Sequence, residues 1–141
     1  MIIYQVKSAS QRLVDAFEEL LPQLDTSVAL LSFQELESII SSSNTILFAG
    51  EENDKIVGTL SLVLHQIPTG RKAWIEDVIV DESVRGKGYG KQLIRHAIAF
   101  AGSKGFTSLY LTSRPSRVEA NRMYQNLGFV ERKTNVYQIK F

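Results

Sequence analysis

The chain has 141 residues, 44% hydrophobic and 22% charged, with no cysteine and a formal net charge of +1 at pH 7. This length suits one domain with a core of its own, and zero cysteines exclude disulfides, thiolate metal sites and a cysteine nucleophile. No apolar run approaches the ~18 residues of a membrane span and no signal pattern opens the chain, so a cytoplasmic protein without a membrane partner is expected.

In chain order, Ile2–Val6 reads as a strand. Ser8 or Ser10 can cap a helix carrying Leu13, Ala16, Phe17, Leu20 and Leu21 on one face, which should stop near Pro22. Phe33–Ser41 fits a second short helix, with Phe33, Leu36, Ile39 and Ile40 inward. Strands Thr45–Glu51 and Ile56–Ile67 are joined by Asn53-Asp54, a hairpin turn signal. Pro68-Thr69-Gly70 makes another turn before the strand Ala73–Val80.

Leu93, Ile94, Ala97, Ile98 and Ala101 repeat at helical spacing in a helix opening near Tyr89, ended by Gly102 or Gly105. Ser108–Thr112 is a strand. Pro115 should start a helix that runs through Asn126 and closes at Gly128. Phe129–Arg132 and Val136–Phe141 read as closing strands. The order β-α-α-β-β-β-α-β-α-β-β, with no repeat, low-complexity tract or linker, gives one α+β domain over 1–141.

The charge is unevenly spread. Residues 1–54 carry two cations and nine carboxylates, whereas 55–141 carry fourteen cations and six carboxylates. The basic part suits a polyanionic ligand, and the acidic part could steer a cationic amine. Ordinary solvated helix faces would give the same acidic excess.

The basic part also holds Arg85-Gly86-Lys87-Gly88-Tyr89-Gly90, placed between an apolar strand and a helix. Glycines there let the main chain approach a ligand, and the helix adds unpaired amides and the positive end of its dipole. Such a run is a pyrophosphate cradle. Its spacing excludes the two commonest nucleotide loops. G-x-G-x-x-G fails because the glycines fall at 86, 88 and 90, and G-x-x-x-x-G-K-[ST] fails because Arg85 and Gln92 occupy two required positions.

R-G-x-G-x-G after a strand resembles the acetyl-CoA loop of the GCN5-related N-acetyltransferase (GNAT) superfamily. Ile75-Glu76-Asp77-Val78-Ile79-Val80 resembles that family's central strand, and Ala120 to Phe129 is similar to its A-x-x-x-Y-x-x-x-G-F ending. The element order agrees as well. The resemblance implies the acyl-CoA N-acyltransferase fold: a mixed, mostly antiparallel twisted sheet of six to seven strands flanked by about four helices. It also implies acetyl-CoA as co-substrate, no metal, and the possibility of a homodimer.

Carried onto this chain, the resemblance gives Val78 and Val80 backbone contacts to the pantetheine arm, with Ile79 packing below. A main-chain N–H near Val78 or Ile79 would polarise the thioester carbonyl. Arg85, Gly86, Lys87, Gly88, Tyr89, Gly90 and Lys91 would wrap the pyrophosphate, with Lys87 and Lys91 reaching phosphate oxygens. Relatives often place an asparagine seven residues before the tyrosine. Arg117 stands there, so either Arg117 or Asn121 would replace that contact.

An amine of pKa about 10.4 must lose a proton before it can attack, and a departing thiolate must gain one. Glu76 is the expected base or water organiser, and Tyr124, a phenol protonated at neutral pH, the expected proton donor. Strand alternation would put Glu76 on one face with Trp74, Val78 and Val80, and Asp77 on the other with Ile75 and Ile79. His96 should face solvent, and neither it nor His65 has partners for a metal. Trp74, Phe33 and Arg114 are candidates for the acceptor's border.

Transfer of an acetyl group to a small primary amine by direct attack in a ternary complex is therefore expected, an amino sugar being one candidate. A protein lysine or N-terminal acceptor and a non-catalytic acetyl-CoA-binding module are the alternatives. Nucleic-acid binding is disfavoured, because no groove-reading motif or aromatic-interleaved basic stripe is present.

Overall fold

A computed structural model describes residues 1–141. Five strands, β1 (Ile2–Gln5), β2 (Thr45–Glu52), β3 (Lys55–Ile67), β4 (Gly70–Val80) and β5 (Ser108–Tyr110), form one sheet in the order β1-β2-β3-β4-β5. All neighbours are antiparallel except β4 and β5. Four helices flank it: α1 (Gln11–Leu24), α2 (Phe33–Ser41), α3 (Tyr89–Ser103) and α4 (Val118–Asn126).

Both sheet faces are covered, so both faces of β2 and β3 read as apolar. On one side α1 and α2 bury Leu13, Phe17, Leu20 and Leu36 against Leu47, Ala49, Ile56 and Ile79. On the other, Leu93, Ile94, Ala97 and Tyr124 from α3 and α4 meet Phe48, Leu60, Leu62, Ala73 and Ile75. No helix is long and apolar enough to cross a membrane.

Several local expectations hold. Ser10 caps α1, accepting from the Leu13 N–H. Asn53 and Asp54 both have positive φ, 49° and 60°, the geometry of the tight hairpin turn their pairing signals. At α2 the Ser32 side chain accepts from Glu35 N–H at 3.2 Å while the Glu35 carboxylate accepts from Ser32 N–H at 2.8 Å. This reciprocal cap, a Ser-x-x-Glu pattern, was missed by sequence reasoning. Ser32→Ala should cost about 1 kcal/mol, read as a lower midpoint in urea with an unchanged slope. An unchanged midpoint would mean that the cap contributes nothing.

α1 ends at Leu24, near Pro22 as expected, with the proline inside its last turn. Pro22 is exposed there, where the solvent-side carbonyl can tilt away from the ring. Other expectations are corrected. Pro115 does not start α4. It sits in a turn closed by Arg117 N–H donating to Arg114 C=O at 3.0 Å, and α4 begins at Val118. β4 starts earlier than Ala73, at Gly70, and β5 is shorter than Ser108–Thr112. His96 does not face solvent, since its ring packs edge-on against Phe48 with centroids 4.8 Å apart.

The largest correction is at the C-terminus. The sheet has five strands, not six to seven, because Phe129–Arg132 and Val136–Phe141 form no ladder. Arg132 Nη1 approaches Tyr110 Oη at 3.4 Å. The segment thus runs beside β5, yet Val136, Tyr137, Ile139 and Phe141 remain exposed. Alternating apolar residues fit a pleat, but a strand exists only when its N–H and C=O groups meet a partner edge. β5 offers an edge of just three residues.

Candidate active site

β4 positions the site through one irregularity. Thr59 pairs with Ile79 and Ser61 with Glu76, so Leu60 alone faces both Asp77 and Val78. Asp77 takes the extra place, with φ of 47°, and makes a β-bulge. The bulge reverses side-chain parity. Val78 and Val80 pack with Ile75 toward α3 and α4, while Ile79 points toward α1 and α2.

The expected face assignment is therefore wrong. Glu76 does not share a face with Val78 and Val80, and Asp77 is not hidden from it. Both carboxylates line the same cleft, of about 1150 Å³.

That cleft opens because β4 and β5 diverge. Their parallel pairing covers only Lys72–Trp74 against Ser108–Tyr110, so the outer edge of β4 from Ile75 to Val80 has no strand beside it. Val78, Ile79, Val80, Arg85, Gly90 and Tyr124 line the cleft, as do Asp25, Glu119, Arg114 and Arg117. An unpaired edge with free backbone groups can accept another extended chain. Arg85 Nε lies 3.4 Å from the Val80 carbonyl and partly occupies that edge.

The loop after β4 is held by Asp81, which is buried at 5% exposure. Its carboxylate accepts from Ser83 N–H at 2.9 Å and from Lys55 Nζ at 3.2 Å, and the Ser83 hydrogen bonds above all hold it below the usual carboxylate range. These contacts fix a single 3₁₀ turn, Glu82–Val84, that delivers the chain to Arg85. Gly86 and Gly88 then adopt φ of 85° and 79°, and a Cβ at either would meet nothing within 4 Å. Glycine is required there for backbone conformation, not for internal packing. The N–H groups of Gly86, Gly88, Tyr89, Gly90 and Lys91 find no acceptor in the chain. They form a donor cluster at the start of α3.

Not every expected residue joins the cleft. The Lys87 and Tyr89 side chains turn to Glu52 at the end of β2, Lys87 Nζ at 3.0 Å. Asn121 donates through Nδ2 to Arg114 C=O at 2.9 Å. It lines an adjoining groove of about 810 Å³ along β5, together with Trp74 and Tyr110. Trp74 stacks on Tyr110 at 5.1 Å between centroids. Arg114 borders the cleft, whereas Phe33 borders neither cavity.

Three groups in the cleft have displaced ionisation, and Asp25 is the one held low, by hydrogen bonds from Ser27 above all. Glu76 is raised above the ordinary carboxylate value, first by crowding from the cleft walls and then by the neighbouring Asp77 charge. Its surface remains open, so water can still reach it. Burial raises Tyr124, with Arg117 opposing weakly. The phenol is thereby kept protonated and the carboxylate made a stronger base, the polarity that acid–base chemistry on an amine requires.

Sequence reasoning missed Glu52, Asp81 and Ser113. Asp81-x-Ser83 was visible as a local turn, but Glu52 reaches the loop only through tertiary contact. Ser113 Oγ is buried without a partner and lines both cavities. No three or more His, Asp or Glu side chains gather where they could hold a metal ion.

Comparison with known proteins agrees with this architecture. Residues 11–129 match the model of the Acetyltransferase (GNAT) family. The chain is 35% identical over 115 residues to the uncharacterized N-acetyltransferase YhdJ of Bacillus subtilis (strain 168), covering 79% of this chain and 78% of that protein. It is 36% identical over 88 residues to glucosamine 6-phosphate N-acetyltransferase of Trypanosoma brucei brucei, covering 60% and 58%. A putative acetyltransferase from Agrobacterium tumefaciens str. C58 superposes with a TM-score of 0.85 at 27% identity over 100% of both chains. The match spans less than half the length of some longer curated relatives. A family match across most of the chain and a shared fold lead to one conclusion: this chain belongs to the GNAT family of acetyltransferases.

Proposed function

We propose that the protein transfers an acetyl group from acetyl-CoA to the primary amine of a small molecule. The observation that carries this reading is the donor cluster of the Arg85–Lys91 loop, set at one end of a cleft walled by the unpaired edge of β4. The cluster suits a diphosphate, and the edge suits the amide-bearing pantetheine arm. No side chain fills the space over Gly86 and Gly88.

When bound, acetyl-CoA would supply the acetyl group as a thioester, which leaves as a thiol. Glu76, directly or through water, takes a proton from the incoming ammonium so that the nitrogen lone pair can bond to the acetyl carbon. The Val78 or Ile79 N–H steadies the charge on the carbonyl oxygen. As the carbon–sulfur bond breaks, Tyr124 would give its proton to sulfur, and the nitrogen's second proton, released as the amide forms, would restore the phenol through water. Four carboxylates, Asp25, Glu76, Asp77 and Glu119, line the cleft beside Arg85, Arg114 and Arg117, so a cationic amine would find carboxylate partners there. Similarity to a glucosamine 6-phosphate N-acetyltransferase supports a small acceptor.

Calorimetric titration with CoA should show binding that weakens as salt rises, because charged groups meet a polyanion. Absence of measurable affinity at saturating protein would overturn the reading. A thiol-release screen over amino sugars, polyamines and lysine peptides should give turnover with a small amine. Turnover with peptides alone would instead support a protein acceptor.

A further inference from the structure

The proposed function leaves one cluster unused. Glu52 closes β2 immediately before the Asn53-Asp54 turn, and its carboxylate accepts from both the Tyr89 hydroxyl and Lys87 Nζ. Tyr89 is the first residue of α3 and is buried against Val57 and Val84. Lys87 stands between the two glycines of positive φ, and its ammonium lies 5.8 Å from the centre of the Tyr89 ring. One carboxylate thus holds two alternate residues of the loop, and none of the three residues lines the cleft.

The hairpin carrying Glu52 is itself anchored. Arg12 of α1 donates to Asp54 C=O at 2.6 Å and pairs with Glu51 at 3.0 Å. Hydrogen bonds from Tyr89 first, then Lys87, keep the Glu52 carboxyl below its ordinary range. The carboxylate is therefore ionised at neutral pH, and its bond to a buried phenol is charge-assisted. The solvent-facing Lys87 pair contributes less. Two glycines in the left-handed region and five unpaired amides would otherwise leave this loop free to sample many backbone states.

We propose that Glu52 is a positioning residue for the phosphate loop: by holding Tyr89 and Lys87 it keeps the loop amides aimed into the cleft before any ligand arrives. This rests on the acetyl-CoA reading for the ligand, but not for the ordering of the loop. Restraining a binding loop in advance lowers the entropy lost on binding.

The test compares Glu52→Ala, Glu52→Gln, Tyr89→Phe and the Glu52→Ala/Tyr89→Phe double variant with the unaltered chain. Backbone amide NMR order parameters of the free proteins should fall at 86–91 in Glu52→Ala and stay unchanged in α4. Calorimetry with CoA should show about tenfold weaker binding for Glu52→Ala, the order of one charge-assisted hydrogen bond, and a smaller loss for Glu52→Gln, which keeps an acceptor. The double variant should bind no worse than Glu52→Ala, because both changes remove the same contact. KM for acetyl-CoA should rise while turnover at saturation stays within about twofold, as expected for lost positioning of a ligand.

If Glu52→Ala does not fold, Glu52→Gln carries the comparison. Unchanged order parameters at 86–91 would overturn the role of Glu52. Tighter CoA binding by the variants would overturn it too, showing that Glu52 competes with phosphate for Lys87. Failure of the unaltered chain to bind CoA would overturn the acetyl-CoA reading instead, while the order parameters still decide whether Glu52 orders the loop.

Discussion

Tyr124→Phe should lower turnover by about 10²–10⁴-fold, the range for loss of a positioned general acid, while CoA binds as before. The substitution removes one oxygen and leaves the ring, which packs edge-to-face on Phe129 with centroids 6.1 Å apart. The fold should therefore persist, and near-normal CoA affinity would show that the cleft is intact. Tyr124 is 7% exposed, and burial pushes its phenol upward, so the proton stays available through the physiological range. A thiolate leaving without that proton must depart as an anion into a partly desolvated cleft, which raises the barrier. Equal turnover for Tyr124→Phe and the unaltered chain would remove the proton-donor role and leave water as the source.

Glu76→Gln should lower kcat/KM by about 10²-fold at neutral pH and erase the acid limb of the pH profile. A carboxyl raised by crowding and by Asp77 accepts a proton only above its raised pKa. Activity should therefore fall as pH decreases through a value above the ordinary carboxylate range. Asp77→Asn should move that limb to lower pH, because it removes the neighbouring negative charge without removing the base.

Stability has the opposite sense. A carboxyl whose pKa is raised by folding contributes most when protonated, below its unfolded value, and that contribution is lost as pH rises through the folded value. Glu76→Gln should thus unfold at the same or a higher denaturant concentration at pH 7 while losing activity. An acid limb that persists in Glu76→Gln, at its former position, would assign it to another group.

Patterns of short range were legible in the residues. The apolar spacing of α1 and α3, the Ser10 cap, the Asn53-Asp54 turn and the glycine-rich loop each depend on neighbours within a few positions, where sterics and local hydrogen bonds dominate. Three such motifs, in order, were enough for the family resemblance. The same reasoning failed where a local rule met a distant constraint. Pro115 gave a turn rather than a helix start, and the C-terminal alternation made no strand without a partner edge.

Spatial packing decided the details of the site. Period-two alternation through Glu76 and Asp77 is the correct default, yet pairing with β3 inserts Asp77 as an extra residue and sends both carboxylates into one cleft. Nothing within β4 announces that shift, because register belongs to a pair of strands. Lys87 and Tyr89 look like phosphate ligands in the loop, but Glu52, 35 and 37 residues away, draws their side chains to itself, and none of the three lines the cleft. The amino-acid order set which elements form and where the loop glycines stand. Three-dimensional contact set which way the chemical groups point, since orientation depends on partners that chain neighbours do not supply.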